Sequence, residues 1–288
     1  MLAASISSIP EGVPEGSAWV NYTRCHDDIG WGLDETVLRN LGFDPFLHKR
    51  FLIDFFLGTF PGSFSKGELY EADPRTLDAR NSGTCASLCG LERALENHDE
   101  YQLELALKRI ILLHTLCIAM NGIPVIYSGD EIAQLNDYHY VRDPRKSADS
   151  RFLHRGKFDW GTVANGNNLA LPGSMILHRM RRLIAVRKNE PLLGSGNKVR
   201  VLQTDDIGVL GFFLEAKAFE KHTSKILVLA NCTEYPKMVS ATQTNLRLDI
   251  YHGIWTDLIQ GKYFDPFSSR VVLGPYESLI LKRNDYAS

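Results

Sequence analysis

Gly122–Asp137 reads GIPVIYSGDEIAQLND, and its first half decides the fold. The run IPVIY at Ile123–Tyr127 is short and continuously apolar, as expected of a strand buried on both faces of a parallel sheet. Immediately before it, Leu103, Leu107, Ile110, Ile111, His114 and Ile118 recur at helical spacing, and Asn121-Gly122 supplies a stop. Further upstream, Ser17–Arg24 (SAWVNYTR) predicts another strand, which delivers the polar end CHDD at Cys25–Asp28. Strand, excursion, helix, strand is the order of a βα barrel, whose functional residues gather at the C-terminal ends of strands.

The excursion, about residues 30–90, combines an aromatic helical patch (HKRFLIDFF, His48–Phe56) with turn clusters at Phe60–Phe64 and Ala72–Arg75, and predicts an inserted subdomain. After Ser128–Glu131 a polar stretch leads to a helix over about Ser174–Lys188. Beyond Gly194 the texture changes. Runs at Lys198–Gln203, Val209–Leu214, Lys225–Ala230, Leu246–Tyr251, Arg270–Leu273 and Ser278–Leu281, separated by turn clusters, predict an antiparallel β-sandwich. The expected organisation is a leader over 1–16, the C-terminal part of a (β/α)8 TIM barrel over 17–194, and the sandwich over 195–288. The fold class is thus α/β followed by all-β.

Composition narrows the function. In 288 residues, 32 basic against 34 acidic side chains leave a net charge of -2, which gives no electrostatic footprint for nucleic acid or an anionic membrane. A neutral substrate suits that balance. The apolar stretch from Ile110 to Tyr127 is broken by His114 and by Asn121–Pro124, so no membrane span is expected. The N-terminus has no basic n-region, and Pro10 and Pro14 interrupt it, so no signal peptide is expected. An odd set of five cysteines, with no CxxC pair, points to reduced thiols in a cytoplasmic protein and to no metal site.

His26-Asp27-Asp28 on its own reads most simply as a turn whose aspartates bond the local backbone. Its context changes that. NYTRCHDDIGW at Asn21–Trp31, GIPVIYSGDEIAQLND and SADSRFLHR at Ser147–Arg155 together resemble the last two barrel strands and following loop of the amylosucrases. These are the sucrose-using branch of glycoside hydrolase family 13, the alpha-amylase superfamily. The resemblance continues through IAVRKNEPLL (Ile184–Leu193), LVLANCTEYP (Leu227–Pro236) and LGPYESLIL (Leu273–Leu281). It implies that His26 bonds hydroxyls of the glucosyl ring, that Asp27 stabilises the transition state, and that Asp28 and Arg80 face the fructosyl or acceptor side. It further implies that Arg151 closes the pocket through a salt bridge to an aspartate early in the barrel, outside this chain. No cofactor is implied; the partners are sucrose and alpha-glucan acceptors.

Weaker candidates are Glu131, beside Asp130 at the rim or else capping a turn, and Trp31 and Phe64, which either stack on sugar faces or pack in the core. A retaining glycosidase needs a nucleophile and a general acid roughly 5–5.5 Å apart. The resemblance places both on the fourth and fifth barrel strands, and only residues 1–25 precede His26. Neither is therefore expected in this chain, which needs the N-terminal barrel half for a complete fold and is expected to be inactive alone. The alternatives are a sucrose hydrolase of the same branch and a non-catalytic carbohydrate-binding fragment.

Overall fold

A computed structural model describes residues 2–9, 14, 16–204, 206–216, 225–239, 255–264 and 271–283. They form two compact units, one built from 22–111 and 126–179, the other from 2–21, 112–125 and 180–288. In chain order the first strands are β1 (Val20–Asn21), β2 (Glu68–Asp73), β3 (Asp78–Ser82) and β4 (Ile123–Pro124). They are followed by β5 (Lys198–Leu202), β6 (Val209–Glu215), β7 (Lys225–Asn231), β8 (Lys237–Val239), β9 (Trp255–Asp257), β10 (Tyr263–Phe264), β11 (Val271–Leu273) and β12 (Ser278–Arg283).

In the first unit the helix Pro45–Leu57 is built by its ends. Asp44 caps it by accepting from the Leu47 N–H at 2.8 Å, proline opens the first turn, and Gly58 ends it at φ 91°. A Cβ at Gly58 would lie 2.5 Å from the Ser65 carbonyl, so both conformation and space demand glycine there. The β2–β3 hairpin pairs Glu68 with Ser82, Leu69 with Asn81 and Tyr70 with Arg80 before its register breaks. Buried Asn81 joins these parts. Its backbone bridges to Ile29 in both directions, its Nδ2 donates to Ile53 O at 3.1 Å, and its Oδ1 accepts from Trp31 Nε1 at 2.8 Å.

The second unit holds a six-stranded antiparallel sheet in the order β10-β9-β12-β7-β6-β5 and a two-stranded sheet of β8 and β11. Val239 and Leu273 of the small sheet share an apolar cluster with Phe213, Trp255, Leu227 and Leu281 of the large one. On the other face, Phe212, Val228 and Ile280 pack with Leu112, Ala119 and Leu193. Residues 1–16, expected as a leader, include a helix at Leu2–Ser7 whose Ala3 and Ile6 pack against this second cluster. An amphipathic spacing of three explains it. Leu246–Tyr251 lies outside the described residues. Strands β8, β9 and β10 are too short to have stood out as alternating runs.

The parallel pair differs most from expectation. β1 and β4 do pair in parallel, Val20 with Ile123 and Asn21 with Pro124, but each is two residues long. Their apolar side chains are not buried on both faces: Ile123 is 51% and Val20 55% exposed. The physical reason is that no other strand pairs with either of them among the described residues, so nothing extends the ladder or covers those faces. Gly122, at φ 137° and with Trp19 O 2.7 Å from where a Cβ would sit, turns the chain between helix Glu100–Ala119 and β4. Ile123→Lys is expected to change the stability of this chain by less than about 1 kcal/mol, measured by urea unfolding. A loss of several kcal/mol would show that the residue is buried after all. Among the described residues, no helix is long and apolar enough to cross a membrane.

Candidate active site

The candidate residues that converge do so at the turn following β1. Asp27 Oδ1 accepts from Arg151 Nη1 at 2.9 Å. Arg151 is held on its other edge by Asp149, with Nε to Oδ1 and Nη2 to Oδ2 both at 2.9 Å, a two-pronged ion pair. Asp149 also caps the short 3-10 turn Ser150–His154 by accepting from the Arg151 N–H at 3.0 Å. One carboxylate thus ends a turn and aims the guanidinium that the turn carries. The Arg151 guanidinium lies over the ring of Tyr70, 4.4 Å from its centroid. Tyr70 is the cross-strand partner of Arg80, whose Nη1 reaches Asp28 Oδ2 at 3.5 Å and Glu71 at 3.4 Å.

Asp27 with Arg151 and Asp28 with Arg80 are therefore joined by two ion pairs and brought together by one hairpin, while His26 adjoins them through the backbone. Arg151 was expected to find its acidic partner outside this chain; instead it is already engaged by Asp27 and Asp149 inside it. With no other carboxylate at hand among the described residues, these two satisfy its fixed fork of donors. The bond from Arg151 holds the Asp27 carboxyl below its ordinary value, and the same guanidinium lowers Asp149. Asp27 is half exposed, so this site presents a fixed anion next to the exposed His26.

The weaker candidates go elsewhere. Glu131 Oε2 accepts from the Gly129 N–H at 2.7 Å, the turn-capping alternative. Phe64 meets Phe55 at right angles and lies under the guanidinium of Arg109, which covers a face of its ring. Trp31 stacks on Phe56 at 5.1 Å while its Nε1 is bonded to Asn81. Both aromatics belong to the subdomain's packing. Asp130 is raised to about 7, first by burial and further by Glu131, against an opposing pull from Arg24. At 4% exposure its carboxyl is closed to a substrate.

Three neighbours of Arg151 in sequence complete the cluster. Asp149, His154 and Arg155 lie in the same SADSRFLHR run that drew attention to Arg151. Arg155 Nε donates to His26 O at 2.7 Å and its other nitrogens lie 3.9 Å from Asp27 and 3.8 Å from Asp149. The signal was present as charge alternation in a loop, a pattern that solvated surfaces also show.

No family model matches the chain. It is similar to Alpha-amylase 3 of Dictyoglomus thermophilum, 24% identical over 205 residues, which cover 65% of this chain and 38% of that protein. Solved structures similar to it include AmyP in complex with maltose, at a TM-score of 0.47 and 18% identity over 66% of this chain and 36% of the other. An Anoxybacillus alpha-amylase is similar at a TM-score of 0.47 and 18% identity, over 72% of this chain and 37% of the other. The chain spans 38% of the length of the curated relative it matches.

Proposed function

We propose that this chain carries the substrate-gripping wall of an amylosucrase-type retaining glucosyltransferase, which passes the glucosyl unit of sucrose to an alpha-glucan and releases fructose. The observation that carries this reading is the Asp27–Arg151 ion pair at 2.9 Å beside His26. A carboxylate held ionised, half exposed and fixed from behind by a guanidinium that a second carboxylate orients can stabilise an oxocarbenium-like ring. It is unsuited to proton donation, because its affinity for a proton has been lowered. Asp28, its side chain largely covered and tied to Arg80, stands one residue on, where an acceptor would be recognised.

Asp130, raised to about 7, would suit a general acid in proton affinity, but it is sealed from solvent. The nucleophile and acid are accordingly assigned to other parts of a longer protein, and this chain alone is expected to release no fructose from sucrose. The test is calorimetric titration of the folded chain with sucrose and with maltooligosaccharides. Weak binding is expected, reduced about tenfold to a hundredfold in Arg151→Ala and Asp27→Asn, as for loss of one charge-assisted hydrogen bond. Fructose release by the chain alone, or a folded sample that binds neither sugar, overturns the reading.

A further inference from the structure

The peptide unit joining His26 to Asp27 is gripped from its carbonyl side. His26 O meets Arg155 Nε at 2.7 Å and His154 Nε2 at 3.0 Å. The geometry also assigns the imidazole tautomer. Nδ1 of His154 faces the Gly83 N–H at 3.2 Å, and a backbone N–H only donates, so Nδ1 is the bare nitrogen. Nε2 then carries the proton and donates it to His26 O. Gly83 is itself fixed on its other side, its carbonyl accepting from Arg24 Nε at 3.0 Å. The chain of bonds runs from Arg24 to the Gly83 carbonyl, and from the Gly83 N–H through His154 to His26.

A peptide is planar, so turning the His26 carbonyl turns the Asp27 N–H with it and changes φ of Asp27. The carboxylate would swing off Arg151. We propose that His154 and Arg155 are positioning residues: by fixing the His26 carbonyl they set the bearing of the Asp27 carboxylate toward Arg151. Its bearing on sugar recognition rests on the function proposed above. Burial, and after it the charge of Arg24, pushes His154 down to about 4, which keeps the required neutral form at physiological pH. The charged and titratable groups facing this pair are Arg24, Tyr127, Asp149, His26 and Asp27.

The test uses the isotope-labelled full chain and two nuclear magnetic resonance readouts, the imidazole nitrogens of His154 and the pH titration of the Asp27 carboxyl carbon. Wild type is expected to show the Nε2–H tautomer and an Asp27 that titrates below its ordinary value. In His154→Ala and in Arg155→Ala, Asp27 is expected to titrate upward, toward about 3.9. In His154→Gln, whose amide can reach the same carbonyl, it should stay low. Should His154→Ala fail to fold, Arg155→Ala and Arg155→Lys decide together: lysine keeps a positive charge near Asp27 but lacks the Nε donor, so a rise in both reports loss of the hold on the carbonyl and not loss of charge. An Nδ1–H tautomer, or an Asp27 titration unchanged in Arg155→Ala, overturns the proposal. Maltose calorimetry on the same wild-type sample separates the two levels. Failure to bind sugar removes the functional reading, while the titration still decides the positioning role.

Discussion

Phe212→Ala is expected to lower the stability of the β-rich unit by about 3–5 kcal/mol, the cost of truncating a fully buried aromatic and leaving a cavity. Phe212 and Phe213 are consecutive in β6, so their side chains leave opposite faces of the sheet, yet both are fully buried. That is possible only because each face has its own cover. Phe212 packs with Leu112, Leu193, Ile226 and Ile280, whereas Phe213 packs with Trp255, Leu227 and Val239. The change falls on a strand bonded on both sides, to β5 and to β7, which leaves little room for collapse around the cavity. Urea unfolding followed by circular dichroism measures the loss. Ile207→Ser, at a fully exposed position two residues before the strand, is the control and should stay within about 0.5 kcal/mol. A loss below about 1 kcal/mol for Phe212→Ala would mean that the Leu112 face is open, contrary to the two-sided burial.

What the sequence made legible follows from how far each signal reaches along the chain. The runs at Lys198, Val209, Lys225 and Ser278 and the helices ending near Met120 and Lys188 were readable because each carries its pattern within itself. The two parallel strands are legible in position but not in length or burial, because a parallel strand is extended and covered by neighbours distant in sequence. Leu2–Ser7 was missed for the related reason that a six-residue helix is held by the surface under Ala3 and Ile6, not by its own propensity. In the site, the residue types of CHDD and SRFLHR announced themselves, but pairing did not. Nothing local distinguishes Asp149, the acid that aims Arg151, from Asp143, which holds Arg145 at an exposed turn. Likewise the aromatic rings of Trp31 and Phe64 are readable, while the contacts that engage them in packing come from Asn81, Phe56 and Arg109 across the subdomain.

His154→Gln is expected to flatten the acid side of the stability curve by on the order of 3 kcal/mol between pH 7 and pH 4. The sign follows from the direction of the shift. Burial lowers the folded-state value to about 4, whereas the unfolded chain titrates near 6.5, so between these limits the unfolded state binds the extra proton. The contribution is fully present above about 6.5 and is lost as pH falls through the folded value of about 4. Glutamine does not titrate, so the advantage of wild type over the variant should shrink steadily across that window. Asp27 and Asp149 also lose stabilisation on acidification, but they do so in both proteins and cancel in the difference. Urea midpoints at several pH values measure it, and a difference that stays constant from pH 7 to 4 would rule the buried neutral imidazole out. The same proton reaches the site. Once both imidazole nitrogens carry hydrogen, Nδ1–H opposes the Gly83 N–H, donor against donor, and the ring can no longer bridge Gly83 to the His26 carbonyl. Acid should therefore loosen the Asp27–Arg151 geometry in the same titration that destabilises the fold.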